Sequence, residues 1–174
     1  MCGLVAVCDD RLFGGYFNAY DLMVKAMGSI KHRGHKPIIE NEGHLLLGHT
    51  RLAIQGLGAK FDQPVMGEHA FLGAYVGEIF NAKRFSLGKE SDVPLMMDML
   101  RNPDRDKQMQ KFDGFWSTVH TYQYGYVEAR TDHLGIKPLY LHEKLGVIAS
   151  ELRAIECFDP NLKPDMLYQV GREV

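Results

Sequence analysis

From residue 115 onward the chain is a succession of short strand-length runs, at 115–122, 125–131, 138–142 and 146–150, broken by Gly125, Gly135 and Gly146 rather than by helices. Two similar runs, LLLGHTRLAI at 45–54 and FLGAYV at 71–76, precede them. CGLVAVC at 2–8 is apolar throughout and too short for a helix, so it reads as a buried strand. Helical spacing is confined to a few places. Leu22, Met23, Ala26, Met27 and Ile30 form one stripe over 19–31. Leu95, Met96, Met99 and Leu100 form another over 92–101, with Ser91 as a cap and Pro94 in the first turn. A short helix closes the pattern at 151–157, and RNPDRDKQ at 101–108 reads as a polar loop. Strands in succession with few helices specify α+β layers, largely antiparallel sheets covered by helices, rather than a doubly wound parallel sheet. No repeat, low-complexity tract or linker divides the 174 residues, so residues 1–174 are read as one domain.

Composition narrows the function. The chain is 45% hydrophobic and 24% charged, near globular averages, and a chain this long buries roughly 70% of its unfolded surface on folding. Net charge is −2, and the longest basic cluster is KHRGHK at 31–36, which argues against a nucleic-acid partner. No leader pattern and no 18-residue apolar run is present, so a soluble, cytoplasmic protein without a membrane partner is expected. Cys2, Cys8 and Cys157 have no CxxC spacing, and HRGH at 32–35 with His44 and His49 lacks the HExxH pattern. Neither a disulfide framework nor a metal site is expected.

The opening MCGLVAV holds the chemistry. Once methionine is trimmed, Cys2 carries a thiol and a free α-amine on one residue. With pKa values near 8.5 and about 7.7–8.0, a usable fraction of the amine is unprotonated at neutral pH and can take the thiol proton. The alternative is a small apolar residue at a strand start. Alternation along 2–8 puts Cys2, Leu4, Ala6 and Cys8 on one face and Val5 and Val7 on the other, with Cys2 and Cys8 about 20 Å apart. A Cys2–His49 pair is conceivable, but the amine makes a histidine base unnecessary.

Eight segments occur in register with one family: MCGLVAV, HRG at 32–34, LGHTRLAI at 47–54, QPV at 63–65, GEIFN at 77–81, SD at 91–92, DHLGIKPLY at 132–140 and ASELRAI at 149–155. Together they resemble class II glutamine amidotransferases, and most closely the glutaminase domain of asparagine synthetases. The resemblance implies the four-layer αββα sandwich of N-terminal-nucleophile hydrolases, with two mainly antiparallel sheets. It also implies hydrolysis of the glutamine side-chain amide to glutamate and ammonia through a cysteine thioester, without a cofactor.

By the same resemblance Cys2 is the nucleophile and Arg51 holds the substrate α-carboxylate, a task suited to a guanidinium fork. Asp92 holds the α-ammonium, Gly77 donates its N–H to the oxyanion, and Glu78 borders the substrate amine. The residue-level alternatives are an ion-pair partner for Arg51 and an ordinary first-turn helix acid for Asp92. The chain departs from the family at Val76, where an asparagine amide should complete the oxyanion hole, and Asn81 is the nearby polar candidate to replace it. It departs again at Thr131, with Arg130 one residue before the family's arginine position. There is neither an SGGxDS-type pyrophosphate loop nor a GxxxxGK[ST] loop. A glutaminase that passes ammonia to a separate synthetase or other acceptor enzyme is the leading expectation. A glutamine-binding pseudoenzyme or interaction protein, or an amidase of another substrate, are the alternatives.

Overall fold

The computed structural model describes residues 1–8, 19–121 and 126–163, and the backbone of 167–170. The strands are β1 (Gly3–Val7), β2 (Pro37–Glu42), β3 (Leu45–Thr50), β4 (Val65–Gly67), β5 (Phe71–Ile79), β6 (Gly114–Thr121), β7 (Val127–Thr131), β8 (Leu139–His142), β9 (Val147–Ala149) and β10 (Leu167–Val170). The α-helices are α1 (Ala19–Ser29), α2 (Val93–Arg101), α3 (Arg105–Met109) and α4 (Leu152–Ile155).

Every strand pair is antiparallel, in two sheets. One runs in the order β10-β8-β9-β1-β3-β2 and the other β4-β5-β6-β7. Alternation along β1 explains how the first sheet is covered. Leu4 and Ala6 meet Leu72, Ala74, Val76 and Val119 of the second sheet, so the sheets pack face to face, and Cys2 and Cys8 border the same cluster. Val5 and Val7 face the opposite way, onto Met23, Ala26, Met27 and Ile30 and onto Ala154 and Ile155 of α4. The outer face of the second sheet, carrying Phe71, Tyr75 and Ile79, buries Leu95, Met96 and Leu100 of α2 and Met109 of α3. Each fully buried aliphatic or methionine side chain contributes about 1.5–3 kcal/mol. The result is an α+β arrangement of two stacked antiparallel sheets with helices on their outer faces.

Three of the segments read from the sequence take a different form in the structure. RNPDRDKQ is not all loop: α3 forms there because Arg105 is buried against Glu128 of β7, at 2.6 Å, and Met109 enters the core. The 45–54 run stops as a strand at Thr50, since Arg51 is drawn into a loop described below. The 71–76 run continues to Ile79, carrying the Gly77-Glu78 pair on the strand itself. Strand β2 had no alternation to announce it, and its proline opens a sheet-edge strand, where the missing N–H is harmless. Residues 122 and 125, the facing ends of two expected strands, lie outside the described residues.

Candidate active site

Cys2 sits just ahead of β1, half-buried, where the backbone N–H of Leu52 donates to its Sγ at 3.3 Å. Its carbonyl accepts from Arg33 Nε at 2.8 Å, and Arg33 Nη1 in turn donates to Glu151 at 2.8 Å. His32 meets the same carboxylate at 2.9 Å. Glu151 is held below the usual carboxylate range because the bonds from Arg33 and then His32 outweigh the opposing effect of its burial. The HRG and ASE segments, more than a hundred residues apart in sequence, therefore form one clamp on the N-terminus. Gly34 is required there, since a Cβ would lie 2.7 Å from the Arg51 carbonyl carbon.

A cavity of about 260 Å³ opens beside Cys2, bordered by Arg51, Gly77, Glu78 and Asp92. Arg51 directs its guanidinium at Asp62 (3.1 Å), at the carbonyls of Gln55 (2.8 Å) and Gly58 (3.2 Å), and at that of Gly56. It thus organises the 52–62 loop while bordering the cavity. Gln55 reaches across to donate to Glu78 at 3.1 Å. Asp92 precedes α2 but makes no capping bond; its buried carboxylate accepts from Tyr75 Oη at 2.5 Å and from the Ile79 N–H at 3.0 Å. Burial first, and the Asp92 charge second, push the Tyr75 hydroxyl well above its ordinary pKa, so it remains a donor.

Gly77 is fixed by sterics. Its φ of +155° pairs with a position where a Cβ would lie 2.1 Å from the Phe115 carbonyl oxygen. The cavity wall beside it is therefore bare backbone. Val76, its neighbour, does not border the cavity: its side chain is 1% exposed and packs with Leu72, Ala74 and Val119 between the sheets. Asn81 is no substitute, since its amide is spent on the Lys111 carbonyl (2.9 Å) and the Asp113 N–H (3.0 Å). Arg130 is paired with Glu128 and Asp106 and is absent from the cavity lining.

Reasoning from sequence passed over Gln55, Tyr75, Phe115 and Lys137, all of which border the cavity. For Lys137 a signal existed, because it lies within the DHLGIKPLY segment. That segment is a turn built on Asp132, whose buried carboxylate accepts from the N–H groups of Trp116 (3.2 Å), Leu134 (3.0 Å), Ile136 (3.3 Å) and Lys137 (3.4 Å). Tyr75 stood beside Val76 with nothing in its spacing to mark it.

His49 makes no hydrogen bond to Cys2; burial drives its pKa down to about 3, with the Arg51 charge acting in the same direction. His120, inside the second sheet, is also lowered to about 3, by burial and then by Arg105 and Arg130. Both are therefore neutral when folded, whereas in the unfolded chain they bind protons near pH 6.5. Below that pH the unfolded state holds more protons, so stability falls as pH drops from about 6.5 toward 3. The slope is about 1.4 kcal/mol per pH unit for each histidine. Thermal melts at pH 7 and pH 5 test this: the melting temperature drops at pH 5, and His120→Phe flattens the drop. A melt unchanged over that interval refutes it.

Among the described residues, no three His, Cys, Asp or Glu side chains converge as a metal site, and no helix is long and apolar enough to cross a membrane. No curated protein matches the chain. A family model described as a glutamine amidotransferase domain matches residues 1–172, nearly the whole sequence, so the chain belongs to the glutamine amidotransferase domain family, whose chemistry is release of ammonia from the glutamine side-chain amide.

Proposed function

We propose that this chain is a class II glutamine amidotransferase domain of the N-terminal-nucleophile type, akin to the glutaminase domain of asparagine synthetases, which hydrolyses glutamine through a thioester on Cys2. The observation that carries the reading is the cavity itself, to which four separated segments bring Cys2, Arg51, the Gly77-Glu78 pair and Asp92. Arg51 takes the α-carboxylate of glutamine by exchanging part of its loop bonding for a bidentate pair. Asp92 and Glu78 supply the negative charge for the α-ammonium. This orientation leaves the amide carbon facing Sγ.

The α-amine of the mature chain takes the thiol proton, and the thiolate attacks the amide carbon. The tetrahedral oxyanion is met by the Gly77 N–H, and collapse expels ammonia with the proton the amine has carried. Water, deprotonated by the same amine, then releases glutamate from the thioester. The ammonia passes to a separate acceptor enzyme. Met1 must be removed first, since a peptide bond would abolish the base.

Val76 sets the expected rate. Loss of one oxyanion donor typically lowers turnover by about 10²–10³, so hydrolysis is slow but dependent on Cys2. Because the Val76 side chain faces the apolar layer between the sheets and not the cavity, Val76→Asn is expected to lower stability by about 1–3 kcal/mol without restoring turnover. Steady-state ammonia release and a thermal melt of this variant test it; a stable variant with turnover raised about tenfold or more would show that the side chain at position 76 reaches the oxyanion. The burial of Val76 favours one second reading, a glutamine-binding pseudoenzyme, in which glutamine raises the melting temperature without Cys2-dependent turnover.

A further inference from the structure

Two cations converge on the side chain of Met1, beside Cys2. Lys137 Nζ lies 3.0 Å and Arg33 Nη2 3.3 Å from the thioether sulfur of Met1, while Arg33 Nε holds the Cys2 carbonyl. A neutral thioether is a poor partner for either charge, and the two differ in how they are otherwise compensated. Arg33 is paired with Glu151. Lys137, only 8% exposed, has no salt bridge to any described residue and rests 4.4 Å from the centre of the Phe115 ring, whose face favours the charged form. The Asp132 turn, with its four N–H donors, fixes the backbone that delivers it.

We propose that Lys137, which borders the same cavity as Cys2, is a positioning residue whose charge keeps the α-amine of mature Cys2 available as a base. The inference rests on the N-terminal-cysteine mechanism above and adds the group that tunes its base. A neighbouring cation disfavours an ammonium, so the amine stays free to take the thiol proton. In the step itself the proton passes from Sγ to the amine nitrogen, and nothing else is required for balance.

The other charged groups facing the N-terminus divide by sign. Arg33 and Arg51 act with Lys137. Glu78 and Asp92 act against it, but Glu78 is bonded to Gln55 and Asp92 to Tyr75 and the Ile79 N–H; Glu151 is taken up by Arg33 and His32. Lys137 itself is lowered from its ordinary pKa by burial first and by Arg33 next, with Cys2, Asp132 and Glu78 opposing.

The test uses the full chain released with Cys2 as its first residue, as wild type, Lys137→Met and Lys137→Arg. The α-amine is titrated by NMR of labelled Cys2, and kcat/KM for glutamine is measured from pH 5.5 to 9.5. In Lys137→Met both the amine titration and the acid limb of kcat/KM move up by about one pH unit. Activity at pH 6.5 then falls about tenfold, activity at pH 9 stays near wild type, and Lys137→Arg restores the profile. An unmoved amine titration overturns the proposal, as does a loss that is equal at every pH. If Lys137→Met melts below the assay temperature, Lys137→Gln replaces it with the same expectation. A titration that moves while no variant hydrolyses glutamine refutes the glutaminase reading and leaves the role of Lys137 standing.

Discussion

Replacing Cys2 by alanine is expected to lower glutamine hydrolysis at least about 10³-fold, to the level of water attacking bound substrate unaided. The α-amine remains in this variant, as do Arg51, Asp92 and the Gly77 N–H, so only the attacking atom is lost. Structurally the change is small. Cys2 is half-buried at the margin of the inter-sheet cluster and its Sγ hydrogen-bonds the backbone of Leu52, accepting at 3.3 Å and donating at 3.7 Å, so stability should change by less than about 1 kcal/mol. Ammonia release from the mature proteins, with a melt in the presence and absence of glutamine, makes the comparison. Equal, slow release from both proteins would sink the enzyme reading. Glutamine-dependent stabilisation of both would then favour the pseudoenzyme.

Gly77→Ala should be strongly destabilising. The added carbon would lie 2.1 Å from the Phe115 carbonyl oxygen and 2.7 Å from the Trp116 Cα, all backbone of the paired strand β6, which no rotamer change can move. The φ of +155° adds strain for any residue with a side chain. Strand β5 must shift away from β6, and with it the inter-sheet packing of Val76 and the cavity wall formed by Gly77 and Glu78. A loss of about 3–5 kcal/mol is expected, a drop in melting temperature of roughly 10 °C, with hydrolysis falling further than the folded fraction accounts for. Melting within about 2 °C of wild type would show that β5 accommodates the methyl and that this steric argument is wrong.

Much of the fold was legible in local pattern. The split of the 2–8 run into Leu4 and Ala6 on one face and Val5 and Val7 on the other is what the two cores display. The stripes of α1 and α2 are buried largely as their spacing requires, with Leu22 and Met99 at the margins. Strand α-helix boundaries were harder where partners are distant: α3 depends on the Arg105–Glu128 pair, and β5 outruns its apolar run because Gly77 and Glu78 continue the ladder to Trp116 and Phe115. The site residues were legible as types within motifs, because a thiol, a guanidinium and a carboxylate advertise their chemistry. Their mutual arrangement was not, and neither was the supporting set. Tyr75 holds Asp92 across a gap of 17 residues, and Lys137 reaches the N-terminus across 136.

What the linear chain settled about this protein is therefore its layers and its chemical inventory, since side-chain alternation, helical spacing and reactive groups are properties of a few neighbouring residues. Whether Val76 turns toward the cavity or the core was decided only by the stacking of the two sheets, which buries its side chain with Leu4 and Ala6. The convergence of Arg33 and Lys137 on the residue that opens the chain was likewise decided in three dimensions. Electrostatic and steric effects act through a few ångströms of space, and no spacing in sequence reports that distance.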